Sequence, residues 1–128
     1  MYKELKGIIE NSYSKYSNYK VACIVKMKDG AFFKGVNVEN ASYGATICAE
    51  RSAILSAISN GYHKGEFKEL YVMVSSGDIG TPCFLCRQVI SELFPKEALI
   101  HCVSTTGEEK VYTKDELCPY PFGEEDLK

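Results

Sequence analysis

Two short cysteine-bearing segments set the tightest limit on how this chain folds: Cys48-Ala49-Glu50-Arg51 and Pro82-Cys83-Phe84-Leu85-Cys86. Each opens a stretch with helical spacing, about 48–60 and 83–93. In the first, Ala49, Ala53, Ile54, Ala57 and Ile58 form an apolar stripe that Asn60-Gly61 closes, and in the second Pro95 ends the helix. An apolar strand, 70–74, lies between them. A fold that accepts both segments has to bring two helix N-termini together at one end of a sheet.

The remaining elements fit such a fold. Leu5, Ile8, Ile9 and Tyr13 share one face of an amphipathic helix over 2–14. The run 21–27 is a strand apolar on both faces, Asp29-Gly30 is a hairpin turn, and 31–38 is the return strand. Residues 98–103 and 110–112 supply two more strands. The order helix, strand, strand, helix, strand, helix, strand, strand predicts an α/β layered sheet in one domain spanning 1–128. Loops that lead from strands into helix N-termini are where such sheets place ligands.

The two segments also carry chemistry. Cys48, Cys83 and Cys86 can converge on one tetrahedral metal and leave its fourth position to water, which separates a catalytic zinc site from a closed structural one. Thiolates at helix N-termini gain from the dipole and the free N–H groups. Three thiolates on Zn²⁺ leave a net negative charge, and Arg51 is placed to offset it by bonding a thiolate. Glu50, two residues from Cys48, is placed to reach the metal's open side without being a ligand, as a proton shuttle requires. A cysteine or histidine, then x-E, followed by P-C-x-x-C is the signature of zinc deaminases.

Composition narrows the partners. The 128 residues carry a net charge of −2, with 45% hydrophobic and 25% charged residues and a pI of about 5.7. That is the balance of a soluble protein without a basic surface for a long nucleic acid. No apolar run reaches membrane-spanning length and no export signal is visible, so a cytoplasmic chain with reduced cysteines is expected. Cys23, Cys102 and Cys118 are then expected to be core thiols, and His63 and His101 structural or surface residues. The run Glu124-Glu125-Asp126 is expected to be a solvated face.

Over nearly its whole length the sequence resembles the small homotetrameric cytidine deaminases. The resemblance rests on Tyr16-Ser17-Asn18-Tyr19, Asn37-Val38-Glu39-Asn40-Ala41-Ser42-Tyr43-Gly44, Ile47-Cys48-Ala49-Glu50-Arg51, Pro82-Cys83-Phe84-Leu85-Cys86-Arg87-Gln88-Val89 and Phe122-Gly123 with Asp126-Leu127. It implies a three-layer α/β/α sandwich around a mixed five-stranded sheet. It also implies one Zn²⁺ per subunit on Cys48, Cys83 and Cys86, and hydrolytic conversion of cytidine and 2′-deoxycytidine to uridine and 2′-deoxyuridine in pyrimidine salvage. In that reaction zinc-bound hydroxide attacks C4 and Glu50 shuttles the proton. The resemblance assigns Asn37 and Glu39 to the ribose, Tyr19 to the pyrimidine face and Ala49 to the base pocket. Tyr43 and Phe122 match positions that complete a neighbouring subunit's site in a homotetramer. No nucleic-acid or membrane partner is implied.

The chain departs from the family at Phe84, where glycine is usual, at Lys15 for proline, at Tyr19 for phenylalanine and at Ala22-Cys23-Ile24 for a run of small residues. Phe84 motivates the main alternative, a deaminase of another cytosine compound such as a blasticidin-type nucleoside, because a ring there could crowd the base pocket. A nucleic-acid-binding module and a non-catalytic zinc protein are the remaining alternatives. The acidic balance opposes the first and an intact Glu50 the second.

Overall fold

The computed structural model describes residues 1–128. Its centre is a strand buried on both faces, β1 (Val21–Met27). Antiparallel neighbours flank it, β2 (Phe32–Val36) on one side and β3 (Phe67–Val74) on the other. β3 pairs in parallel with β4 (Leu99–Val103), and β5 (Glu109–Thr113) closes the sheet antiparallel to β4. The order is β2-β1-β3-β4-β5, a mixed five-stranded sheet.

The two-residue period of the strands decides what each face meets. Val21, Cys23, Val25 and Met27 of β1, with Leu70, Val72 and Val74 of β3 and Ile100 and Cys102 of β4, face one way. They pack under α2 (Ala49–Ser59) and α3 (Phe84–Leu93), through Ala53, Ile54, Ala57 and Ile90. Ala22, Ile24, Met73 and Val103 face the other way and meet Leu5 and Ile9 of α1 (Tyr2–Ile9). These are the three layers expected from the resemblance. No helix is long and apolar enough to cross a membrane.

Gly35 of β2 lets α2 lie close against the sheet. A Cβ there would stand 2.5 Å from the Ala49 carbonyl oxygen and 2.6 Å from the Ala53 nitrogen. Both are helix backbone and cannot swing aside. Gly35→Ala is therefore expected to cost about 2–3 kcal/mol and lower Tm by ~10 °C. A thermal melt within about 2 °C of wild type would show that the helix is free to move.

Several boundaries differ from the sequence expectation. The first helix ends at Ile9 rather than at 14. From Tyr13 the backbone bonds to the segment after β2 instead of its own turn: the Tyr13 N–H donates to the Asn37 carbonyl and the Glu39 N–H to the Tyr13 carbonyl, 3.0 and 2.7 Å. Tyr13 thereby forms a bridge with Val38, which lies beyond the end of β2, and is half-exposed rather than part of the helix stripe.

β3 begins at Phe67, three residues before the apolar run suggests. Phe67 is fully buried and stacks on Phe94 at 4.7 Å. The charge that breaks the run, Glu69, is tied to His101, 2.6 Å away. A short helix, α4 (Lys114–Leu117), was not expected from periodicity. Its signal was present, however. Thr113 and Glu116 form a reciprocal capping box, with bonds of 3.2 and 2.8 Å. The acidic run at the C-terminus forms a short, exposed 3₁₀ turn, Glu124–Leu127.

Candidate active site

Cys48 is the N-cap of α2 and Cys83 the N-cap of α3, so both thiols stand at positive helix ends. Cys86, in the first turn of α3, is fully buried. The three Sγ atoms lie within 4.8 Å of one another, and Cys48 and Cys83 are 3.7 Å apart. Two sulfurs bound to a tetrahedral zinc at about 2.3 Å stand ~3.8 Å apart, so the donor set fits that ion. No fourth His, Cys, Asp or Glu joins the group.

Without a metal, the cluster favours ionisation of one thiol. Hydrogen bonding from the Cys86 thiol, and from Arg51 and Cys83, pulls the Cys48 thiol down to about 5, while sharing that bond pushes Cys86 up. The Arg51 guanidinium donates to Cys48 Sγ through Nη2 at 3.4 Å, the contact expected of a residue that offsets thiolate charge. Its Nε is buried without a partner.

A cavity of about 190 Å³ opens beside the cluster, lined by Tyr19, Asn37, Thr46, Cys48, Ala49 and Glu50 among others. Glu50 is only 5% exposed, and burial raises its carboxyl from 4.5 to about 7. Ala49 is fully buried in the wall. Tyr19 reaches the cavity from a tight turn in which Asn18 takes a left-handed conformation, φ 58°.

The Asn37 side chain is wired into the backbone. Its Oδ1 accepts from the Val21 N–H and the Ser12 hydroxyl at 2.9 and 2.5 Å, and its Nδ2 donates to the Tyr19 carbonyl at 2.8 Å. One amide N–H is left for a ligand.

Glu39 lies outside this cavity, in a neighbouring, more open one of about 330 Å³ that shares only Thr46 with it. Its carboxylate accepts from the Tyr16 and Ser17 N–H groups at 2.9 and 3.1 Å and from the Ser17 hydroxyl. The Ser17 bond holds Glu39 below the usual carboxylate range.

The family model for the cytidine and deoxycytidylate deaminase zinc-binding region matches residues 1–102. The chain belongs to this deaminase family. It is 37% identical over 125 residues to a cytidine deaminase of Halalkalibacterium halodurans, covering 98% of this chain and 93% of that one. It is 36% identical over 115 residues to a cytidine deaminase of Mycoplasma genitalium, covering 90% and 87%. The crystal structure of a cytidine deaminase from Burkholderia pseudomallei superposes with a TM-score of 0.89 at 38% identity, covering 94% of each chain. The chain is thus a zinc enzyme of the cytidine deaminase family, and Cys48, Cys83 and Cys86 are its zinc-binding cluster.

Two residues singled out in the deaminase sequence stand apart from the cavity. Tyr43 is 80% exposed and lines the Glu39 cavity, edge-on to Tyr16. Phe122 lines a third cavity, with Phe84, Arg87 and the 117–121 segment. Phe84 does not line the cavity beside the cluster. It is 76% exposed, and its ring lies over the Arg87 guanidinium at 4.5 Å.

The deaminase cavity also has walls that sequence reasoning did not single out, Val21, Thr46, Ile47, Val72, Val74 and Thr81. The valines were legible only as strand core. Thr46 and Thr81 carry no motif, and only the folded loops bring them there. The other thiols are buried as expected. His101 is held between Glu69 and Glu109 and stacks on Tyr71, a structural arrangement.

Proposed function

We propose that this enzyme hydrolyses cytidine and 2′-deoxycytidine to uridine and 2′-deoxyuridine, releasing ammonia, in cytoplasmic pyrimidine salvage. The observation that carries the proposal is a buried carboxyl, Glu50, in one cavity with Tyr19, Asn37 and two thiols of the cluster, Cys48 and Cys83. The names of the relatives support the substrate class.

In this reading the base enters the smaller cavity, whose volume suits the ring rather than the whole nucleoside. Tyr19 lies against its face. The sugar sits at the junction with the second cavity, where the free N–H of Asn37 donates and Glu39 accepts. Zinc held by the three thiolates supplies the acidity that makes a water nucleophilic at neutral pH. Glu50 accepts the proton of the water that attacks C4 and delivers it to N3. It then carries the water's second proton to the amino group, so that C4 keeps the oxygen and ammonia leaves. Arg51 offsets the thiolate charge.

Tyr43 and Phe122 are exposed and do not line their own chain's base cavity. That placement supports a homotetramer in which they complete a neighbour's site, with one zinc per subunit.

A substrate panel tests the proposal. Zinc-loaded protein is expected to convert cytidine and 2′-deoxycytidine, followed by chromatography, and to leave free cytosine and a blasticidin-type nucleoside largely unchanged. Conversion of only the latter two would contradict it.

A further inference from the structure

Cys83 is the exposed member of the zinc cluster, whereas Cys86 is fully buried and Cys48 partly so. Packing therefore does least to fix Cys83. What brackets it is Arg87. The Arg87 backbone N–H donates to the Cys83 carbonyl at 2.9 Å, one turn down α3. Its side chain then reaches back past Cys83, where Nε donates to the carbonyl of buried Pro82 at 2.7 Å. Nη2 donates to Thr81 Oγ1 at 2.9 Å, and Nη1 to the Leu117 carbonyl at 3.1 Å.

One rigid fork thus spans the loop before the metal ligand and the end of α4, whose side chain at Leu117 is anchored in the core. The Phe84 ring covers the guanidinium. The contact gives this chain's departure from the usual glycine a physical role.

We propose that Arg87 is a positioning residue for the zinc cluster, holding Cys83 in ligating geometry by tying Thr81 and Pro82 to the core-anchored end of α4. The proposal rests on the zinc assignment to Cys48, Cys83 and Cys86. Lysine keeps the charge but not the planar fork, and a single ammonium cannot meet three acceptors in these directions. Residues that orient a metal ligand typically change metal affinity by about 10–100-fold when replaced.

The test is release of zinc from loaded protein to an excess of chromophoric chelator, with circular dichroism recorded before chelation. Arg87→Lys is expected to release zinc about 10–100-fold faster than wild type, with an unchanged spectrum. Gln88→Ala removes the neighbouring bond to the Phe122 carbonyl but leaves the loop before Cys83 untouched, and is expected to release zinc at the wild-type rate. Phe84→Ala changes an exposed side chain, so it keeps the proposal testable if Arg87→Lys fails to fold. It is expected to release zinc about 2–5-fold faster through loss of the ring over Arg87.

Release within twofold of wild type in a folded Arg87→Lys protein overturns the proposal. So does an equal acceleration in Gln88→Ala, or, should Arg87→Lys not fold, a wild-type rate in Phe84→Ala. A wild-type protein that holds no zinc would overturn the zinc assignment itself, and the proposal with it.

Discussion

Glu50→Ala is expected to keep its zinc and to lose cytidine deamination by about a hundred- to ten-thousand-fold, the range a positioned proton-transfer group supplies. The carboxyl is not in the ligand set, so its loss leaves three sulfurs within bonding reach of one ion. It is nonetheless the carboxyl that shares a cavity with Cys48 and Cys83. Glu50→Gln should fall as far, because an amide of the same shape cannot carry a proton from water to base.

Stability moves in the opposite direction. Burial raises the Glu50 carboxyl from 4.5 to about 7 in the metal-free chain, so the unfolded state ionises first. Between pH 4.5 and 7 metal-free wild type should therefore lose roughly 3 kcal/mol relative to metal-free Glu50→Gln, a comparison in which the thiols, present in both, cancel. Near-wild-type turnover in either variant, by chromatography of uridine formed, would remove Glu50 from the reaction.

Cys86→Ser is expected to abolish stoichiometric zinc and, with it, deamination. Cys86 is fully buried in the first turn of α3, with its Sγ within 4.8 Å of those of Cys48 and Cys83. An alcohol in its place offers no anionic sulfur. Because zinc binds the folded chain, a wild-type protein saturated about 1,000-fold above its Kd gains ~4 kcal/mol. Chelator should therefore lower the wild-type Tm and leave that of Cys86→Ser unchanged. Cys102→Ala is the matched control, a fully buried thiol in β4 outside the cluster. It should melt lower from lost packing yet still respond to chelator. Metal analysis finding full zinc in Cys86→Ser would place the ion elsewhere.

How far the sequence discloses this site depends on how local each signal is. The zinc cluster and Glu50 were legible because the ligands sit within four residues at each of two helix starts, a spacing that the helix itself converts into geometry. Tyr19 and Asn37 were legible only through the family pattern. Nothing in the sequence shows that Asn37 has already spent three of its four bonds on Val21, Ser12 and Tyr19. Glu39 reads as Asn37's companion, yet the chain places it across Thr46 in a separate cavity, clasped by the 16–17 turn. Phe84 reads as an intrusion into the base pocket. The direction of the first turn of α3 sends it outward instead, onto Arg87.

The fold shows the same division. The apolar strand runs and two helices with clear stop signals were visible. The early end of α1 was not, because it is set by backbone bonds from Tyr13 to Asn37 and Glu39, far along the chain.

The most direct test of the whole account is a zinc titration of chelator-treated protein in which bound metal and cytidine conversion are read on the same samples. Both should rise together and level at one zinc per chain, with uridine as the product. Conversion that does not depend on zinc, or one zinc bound per chain with no conversion of cytidine or 2′-deoxycytidine, would contradict it.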